Sequence, residues 1–218
     1  MSRYSEAERA AIYRVIAERR DMRHFKPDPV DADILQRILA AAHAAPSVGL
    51  MQPWRFIRIT DPELRIAIQQ LVEQERLATA AALGEREQEF LQLKVEGIAS
   101  CGEVWVVALM DQRQAHVFGR RTLPEMDLAS AACAIQNLWL AARAEGIGVG
   151  WVSLFEPTAL ARLLAIPEGG QPIAVLCIGH VEAFYEEPML ESTGWAERQS
   201  LDRLIAENGW HFAAAPDN

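Results

Sequence analysis

The sequence lacks an apolar run long enough to cross a membrane. Its longest uncharged stretch is LASAACAIQNLWLAA, residues 128–142, which contains Gln136 and Asn137. A membrane span needs about 20 apolar residues. We therefore predict no membrane segment and instead a helix over 126–145 that is buried on nearly all sides. The opening residues MSRYSEAERAAIYR also lack the apolar core of a signal peptide, so we expect a cytoplasmic protein.

Cysteine and histidine are scarce and scattered. No CxxC motif is present, so we predict reduced thiols in the core; the cysteines are Cys101, Cys133 and Cys177. The five histidines show no metal-ligand spacing, which predicts no metal site. Ser153 lies in WVSLF rather than in a GxSxG motif, which excludes a nucleophile elbow.

The chain also has fewer positively charged than negatively charged residues. The chain has 21 Lys and Arg against 30 Asp and Glu, a net charge of −9. Nucleic-acid binding depends on neutralising phosphates with Lys and Arg, so we exclude nucleic acid as a partner. With 218 residues, half of them hydrophobic, the chain can bury a substantial core. We predict a single domain over 1–218.

The order of the predicted elements indicates an α+β fold. Ser5 and Glu8 form a capping box that opens a helix to about Arg20, and Asp61-Pro62 starts another helix. Apolar strands are predicted in WRFIRIT, EVWVVALM, GIGVGWVSLF and PIAVLCIGHV. Because helices and strands do not follow a regular βαβ order, we predict a mixed, mainly antiparallel sheet in a three-layer α/β/α sandwich.

Two segments fall outside this core pattern. Residues 73–96 are charged and poor in turn residues, which predicts a helical excursion that acts as a mobile lid. The stretch 184–218 carries Phe184, Tyr185 and Trp195, whose aromatic side chains need to be covered. We therefore predict a C-terminal arm that packs against the second subunit of a homodimer.

Arginines surround one carboxylate at the end of the first predicted helix. Arg19, Arg20 and Arg23 flank Asp21 in an otherwise acidic protein. Such a cluster can bind an anion, because charge-assisted hydrogen bonds to phosphate are strong. Arginines at a helix C-terminus also complement the helix dipole without any ligand, so both interpretations stay open here.

Two glycine-bearing segments could accept a planar ligand. In the loop PSVGLMQPW, residues 46–54, Gly49 allows close backbone approach and Gln52 offers both a donor and an acceptor. The same pattern is typical of an ordinary loop before a strand. In GIGVGWVS, residues 146–153, the glycines follow a helix and enter a strand, so we exclude the Rossmann motif. They allow either a flat ligand or close sheet packing.

Taken together, RRDMRHF, PSVGLMQPW, MDLASAACAIQNLWLAARAEGIGVGWVSLF and WAERQSLDRLI resemble the nitroreductase-like flavoprotein superfamily over about residues 8–210. Asp21 stands where ordinary nitroreductases usually have Ser. Because of Asp21 and the GWVS element around Ser153, the sequence resembles the branch of this superfamily that makes 5,6-dimethylbenzimidazole. The resemblance implies a nitroreductase-like dimeric fold with sites at the dimer interface.

That branch consumes reduced FMN as a substrate together with O2. It releases 5,6-dimethylbenzimidazole, the lower ligand of vitamin B12, and erythrose 4-phosphate. The resemblance implies that NAD(P)H acts only indirectly, through a separate flavin reductase that supplies the reduced FMN. Two alternatives stay open: an NAD(P)H-dependent nitro- or quinone reductase that retains its FMN, and a non-catalytic flavin-binding protein.

The same resemblance implies roles for individual residues. Arg19 and Arg23 would hold the phosphate or ribityl chain of FMN, with Arg198 a weaker candidate. Asp21 and Ser153 would be catalytic, lying over the reacting ring and handling oxygen and protons. The other residues implied to line the flavin are Arg20, Met22, Pro46, Ser47, Gln52, Gly150 and Trp151.

Overall fold

The computed structural model describes residues 3–212, and the chain forms two compact units, Met1–Phe184 and Tyr185–Asn218. In the described part of the first unit the helices are α1 (Glu6–Glu18), α2 (Ala32–His43), α3 (Pro62–Ala82), α4 (Glu87–Gln92), α5 (Met126–Ala144) and α6 (Pro157–Leu163). The strands are β1 (Trp54–Ile59), β2 (Glu103–Leu109), β3 (Gly148–Val152) and β4 (Gln171–Gly179).

The four strands form one sheet in the order β1-β2-β4-β3, and neighbouring strands run antiparallel. In β3 and β4, for example, Trp151 lies opposite Leu176. A parallel bridge joins Asp21 to Val149 of β3, which is an edge strand. The prediction of an α+β fold with a mixed, mainly antiparallel sheet is confirmed.

Each face of the sheet has its own hydrophobic core, because successive side chains of a strand point to opposite faces. Trp105, Val107 and Leu109 of β2 face one core, which α2 and α5 cover. Val104 and Val106 face the other core, which α3 and α6 cover. Helices therefore lie on both faces, as the predicted three-layer sandwich requires.

The first helix begins where the sequence predicts but buries none of its side chains. Ser5 and Glu8 form the expected capping box, and α1 ends at Glu18 with Arg19 as the C-cap. Three of its large apolar residues remain exposed, Ile12, Tyr13 and Ile16, and Val15 is half-buried. An exposed apolar helix face of this kind is typical of a surface that binds another protein.

The long helix α5 is exposed along one side. Ile135 and Leu138 are fully buried, but Leu128, Cys133 and Gln136 are exposed. The prediction that this helix is buried on nearly all sides was wrong, as was the prediction that Cys133 lies in the core. The exposed side is built from small and apolar residues rather than charged ones, so composition could not distinguish it from the buried side.

The predicted lid segment, residues 73–96, comprises the C-terminal half of α3, a turn and α4. The helical excursion is present, but it is better anchored than its charge suggested, because Ala80 and Phe90 are buried. Arg76 also donates a hydrogen bond to the carbonyl of Leu91 at 3.2 Å. Movement of this segment stays a prediction.

The second unit contains α7 (Met189–Ser192) and a 3-10 turn at Leu201–Leu204. It begins at Tyr185, close to the start of the predicted C-terminal arm. Residues 213–218 of that arm lie outside the described residues. Between residues 3 and 212, no helix combines the length and apolar character needed to cross a membrane. The same residues contain no group of three His, Cys, Asp or Glu side chains that could hold a metal ion.

Candidate functional site

The arginine-rich segment 19–23 lies along the edge strand β3. The amide of Met22 donates a hydrogen bond to the carbonyl of Val149 at 3.0 Å. Gly150 permits this close approach, because an added Cβ would overlap the carbonyl oxygen of Met22 and lie 2.7 Å from Nη1 of Arg23. The Met22 side chain is fully buried, so it can contribute to a ligand site only by supporting this segment.

Hydrogen bonds hold both oxygens of the Asp21 carboxylate. Oδ1 accepts from the amide of Trp151 at 2.9 Å, and Oδ2 accepts from Nη2 of Arg23 at 2.6 Å. The same Nη2 donates to the carbonyl of Trp151 at 2.9 Å. These three residues form a closed ring of hydrogen bonds that fixes the carboxylate on β3.

Burial raises the pKa of Asp21 above its ordinary value. The charge of Arg23, the hydrogen bond from the Trp151 amide and the charge of Arg19 oppose this rise, because each favours the ionised form. The sequence left the sign of the shift open, and desolvation prevails. The Asp21 side chain keeps 42% of its surface exposed, so a ligand can reach it and solvent screens part of these interactions.

Trp139 of α5 positions the two other arginines, and the sequence reasoning missed it. The guanidinium of Arg19 lies 4.5 Å from the centroid of the Trp139 ring. Nε1 of Trp139 donates to the carbonyl of Arg20 at 3.1 Å. A tryptophan inside an apolar helix was the available signal, since a buried indole N–H needs an acceptor.

Arg20 itself helps to close the first helix. Its Nη1 donates to the carbonyl of Ala17 at 2.7 Å and to that of Arg19 at 2.9 Å. This is the helix-end role that the sequence left open beside anion binding. Both Arg19 and Arg20 remain half-buried, so their guanidiniums lie at the rim of the segment rather than in the core.

The loop 46–52 is held in an unusual backbone conformation. Gly49, Leu50 and Gln52 all have positive φ, at 53°, 53° and 50°, which is uncommon for residues other than glycine. The hydroxyl of Ser47 accepts a hydrogen bond from the Gln52 amide at 3.0 Å. The predicted site residues Ser47 and Gln52 are thus joined, both half-buried, with Pro46 exposed beside them.

The loop is fixed from outside by α5 and by the segment 117–119. The amide of Val48 donates to the hydroxyl of Ser130 at 3.0 Å. Gly119 packs so closely that an added Cβ would lie 2.5 Å from Cγ2 of Val48. Next to this contact, Phe118 is 84% exposed.

An ion-pair network that the sequence did not reveal holds the chain around 113–127. Asp127 is buried, and its Oδ2 pairs with Arg113 and with Arg120, each at 2.8 Å. Arg113 also donates to the carbonyls of Met110 and Gly169 at 2.6 Å. Arg120 and Arg113 precede Asp127 by 7 and 14 residues, and the chain between them follows no regular helix or strand spacing that would have indicated the network.

The remaining predicted site residues lie at the end of β3 and in the second unit. Trp151 is half-buried, with its ring centroid 6.4 Å from that of Trp139. Ser153 is exposed just beyond the last residue of β3. Arg198 belongs to the second unit, where its exposed side chain pairs with Glu191 at 3.5 Å.

Two groups of site residues are therefore anchored on α5 at different turns. Ser130 anchors the loop 46–52, and Trp139 anchors the segment 19–23. Nine residues of α-helix separate these anchors by about 14 Å along the axis. Each group is assembled locally, but the two are attached at distant points of one helix.

Residues 16–180 match the sequence profile of the nitroreductase family. The chain belongs to this family. It is 39% identical over 196 residues to the 5,6-dimethylbenzimidazole synthase of Rhodobacter capsulatus, covering 89% of this chain and 95% of that protein. It is 40% identical over 184 residues to the protein of the same name from Rhodospirillum rubrum, covering 83% and 87%.

Solved structures show the same fold. This nitroreductase-family chain is similar to the NADPH:FMN oxidoreductase from Vibrio harveyi complexed with NAD+, with a TM-score of 0.71 and 21% identity, covering 94% of this chain and 80% of that chain. At this identity the similarity concerns the fold alone. The predicted nitroreductase-like fold, the resemblance to the synthase branch and the prediction of an oxidoreductase-type enzyme are confirmed.

Proposed function

We propose that this chain is a 5,6-dimethylbenzimidazole synthase. In this reaction reduced FMN is a substrate that is fragmented with O2, giving 5,6-dimethylbenzimidazole and erythrose 4-phosphate. The observation that carries the proposal is the Asp21 carboxylate, fixed by Trp151 and Arg23, with a raised pKa and an accessible surface. Identity to two synthases over most of the chain supports the same reaction.

The donor set fits FMN. Arg19 supplies a half-buried guanidinium, which suits an anionic phosphate, Arg198 is a further candidate, and Arg20 would line the flavin. Gln52 supplies an amide with a donor and an acceptor, which suits the polar edge of a flavin ring. Trp151 offers a half-buried aromatic surface. When bound, reduced FMN supplies the ring carbons of the product and the electrons that O2 takes up.

Asp21 and Ser153 handle protons in the proposed reaction. Asp21 accepts a hydrogen bond or a proton from the ring as it is broken down, and its raised pKa brings it closer to the range useful for proton transfer. Ser153 stands exposed two residues beyond Trp151, and its hydroxyl can donate or accept a hydrogen bond. Both groups thus belong to the same end of β3.

The proposed enzyme works as a homodimer. The apolar face of α1 and the uncharged side of α5 are exposed in the single chain. The two groups of site residues are anchored about 14 Å apart along α5. A second copy can bring the loop 46–52 of one protomer against the segment 19–23 of the other and so complete each flavin site.

The reduced FMN is proposed to come from a separate flavin reductase that uses NAD(P)H. This proposal is based on residues 146–153, whose glycines lead from a helix into a strand and therefore do not form a dinucleotide-binding motif. We further propose that both proteins act in the cytoplasm, where reduced FMN could pass from one to the other before it reacts with O2 in solution.

The direct test mixes the purified protein with chemically reduced FMN and then admits air. We expect 5,6-dimethylbenzimidazole and erythrose 4-phosphate by mass spectrometry, together with a permanent loss of visible flavin absorbance. Reduced FMN in air without protein is the control for spontaneous breakdown.

The alternative reductase gives the opposite result. A nitro- or quinone reductase would let the flavin absorbance recover fully in air and would form no benzimidazole. Fast anaerobic bleaching of bound FMN by NADPH alone would favour the reductase activity. Full recovery of the flavin without product would therefore overturn the proposed function.

A further inference from the structure

We propose that Arg23 is a positioning residue for Asp21 and not a ligand of the FMN phosphate. This inference rests on the proposed function, because it assigns Arg23 to the carboxylate that the proposed reaction uses. It differs from the role that the family resemblance implies for this arginine, and it is carried by the contacts of the Arg23 side chain.

Arg23 is more deeply buried than the other arginines of the segment. The side chain of Arg23 keeps only 10% of its surface exposed. Arg19 and Arg20, by contrast, are half-buried at the end of α1. A phosphate ligand needs an accessible guanidinium, and Arg19 at the rim of the segment is more accessible than the guanidinium of Arg23, which is enclosed against β3.

One nitrogen of Arg23 already has two hydrogen-bond acceptors. Nη2 of Arg23 donates to Oδ2 of Asp21 at 2.6 Å and to the carbonyl of Trp151 at 2.9 Å. Turning this nitrogen toward a phosphate would break both bonds. It would also leave the partly buried carboxylate of Asp21 without its nearest positive charge, which is costly.

The ring of hydrogen bonds among Asp21, Arg23 and Trp151 fixes the orientation of the carboxylate. The amide of Trp151 holds Oδ1 of Asp21 while Arg23 holds Oδ2, so the plane of the carboxylate is fixed at both oxygens. Gly150 completes the arrangement, since a side chain there would collide with Met22 and with Nη1 of Arg23. The strand, the glycine and the arginine together determine where Asp21 points.

The test compares Arg23→Lys with the matched variant Arg19→Lys. A lysine keeps the charge, but its flexible ammonium lacks the rigid planar geometry of the guanidinium, so it does not hold Asp21 and Trp151 in the same arrangement. We measure the affinities of each protein for oxidised FMN and for riboflavin, which lacks the phosphate. A phosphate ligand affects FMN alone, whereas a positioning residue leaves the FMN-to-riboflavin affinity ratio unchanged.

We expect Arg23→Lys to change this ratio by less than about threefold and Arg19→Lys to lower it by about tenfold or more. A tenfold loss of the ratio in Arg23→Lys would overturn the inference. Because the ratio requires no turnover, it remains informative even if the wild-type protein makes no dimethylbenzimidazole, and the two failures can be told apart.

A double-mutant cycle tests the connection to Asp21. If Arg23 acts through the carboxylate, Arg23→Lys combined with Asp21→Asn should turn over reduced FMN no more slowly than Asp21→Asn alone. If the turnover losses of the two single variants multiply in the double variant, the two residues act independently and the inference is overturned. If Arg23→Lys does not fold, the Arg23 side-chain NMR signal of the wild-type protein provides the test instead. A positioning residue should show the same shift of this signal with FMN as with riboflavin, and a larger shift with FMN would overturn the inference.

Discussion

The indole nitrogen of Trp139 donates a hydrogen bond to the backbone carbonyl of Arg20 at 3.1 Å, while its ring lies beneath the guanidinium of Arg19. One side chain of α5 thus fixes the backbone of the arginine segment and the direction of one of its guanidiniums. Because Trp139 is itself buried, with 8% of its surface exposed, this arrangement is held by the core.

Trp139→Phe and Trp139→Leu should separate these two contributions. The Phe variant loses the hydrogen bond but keeps a ring under Arg19, and we expect it to lower the free energy of unfolding by about 1 kcal/mol. The Leu variant also loses the ring, and we expect about 3 kcal/mol and a further loss of FMN affinity. Denaturant unfolding and FMN titration measure both effects. Equal FMN affinity in the two variants would contradict a role for the ring.

Asp21→Asn should leave FMN binding in place and abolish most product formation. The substitution keeps the size and one hydrogen-bonding oxygen but removes the charge. A group that accepts a proton in the reaction contributes about 10²–10⁴ in rate, so we expect a loss of that order at saturating reduced FMN. If Asp21 only orients arginines, FMN affinity falls instead and synthesis at saturation survives. Near-normal synthesis would end its catalytic assignment.

The Asp21 carboxyl should titrate above the ordinary Asp range of about 3.9. A raised pKa means that the fold binds this proton more tightly than the unfolded chain does. Its contribution to stability is complete below the ordinary pKa and is lost as pH rises through the raised value. Carboxyl 13C NMR measures the titration directly. In Arg23→Gln the removal of a positive charge should raise the pKa further, and a fall would contradict the ion pair.

Gly150→Ala should disrupt the contact between β3 and the arginine segment. The new Cβ collides with the carbonyl of Met22 and with Arg23, and we expect a loss of at least about 2 kcal/mol in unfolding free energy together with impaired synthesis. Gly194→Ala is the control, since no atom lies within 4 Å of its added Cβ. Its positive φ of 73° should cost about 1 kcal/mol, with synthesis retained.

The homodimer should have a mass of about twice the 24.3 kDa of the chain. Stable interfaces of this kind bury about 2,000 Å2 or more. Ile16→Glu places a charge on the exposed apolar face of α1 and should shift the equilibrium toward monomer. Ile66→Glu, at a similarly exposed position of α3, is the control. Light scattering of the wild type that returned the mass of one chain at micromolar concentration would exclude the dimer.

Residues 73–96 should exchange their amide hydrogens more slowly once FMN is bound. The segment contains the charged residues Glu85, Glu87 and Glu89, and it joins two helices through a short turn. Such elements open locally at low free-energy cost, and a closed lid would exclude water from the reaction. Hydrogen exchange followed by mass spectrometry reports on this segment directly. Identical exchange with and without FMN would count against a lid.

The helices, the strands and the layering of the fold could be predicted from the sequence. Local signals were sufficient, because a capping box such as Ser5 with Glu8 and the alternation of WRFIRIT at β1 depend on neighbouring residues. The resemblance carried by RRDMRHF and PSVGLMQPW was equally local, and it led to the nitroreductase family.

The contacts of the arginine segment 19–23 could not be predicted from the sequence. The roles of Trp139, Gly150 and Arg23 depend on contacts between residues more than 100 positions apart, which no local pattern encodes. The sign of the Asp21 pKa shift likewise required the balance of burial against nearby charges. The exposed side of α5 was also beyond the sequence, because apolar residues can pack against a core or remain at a surface, and only their neighbours in space distinguish the two.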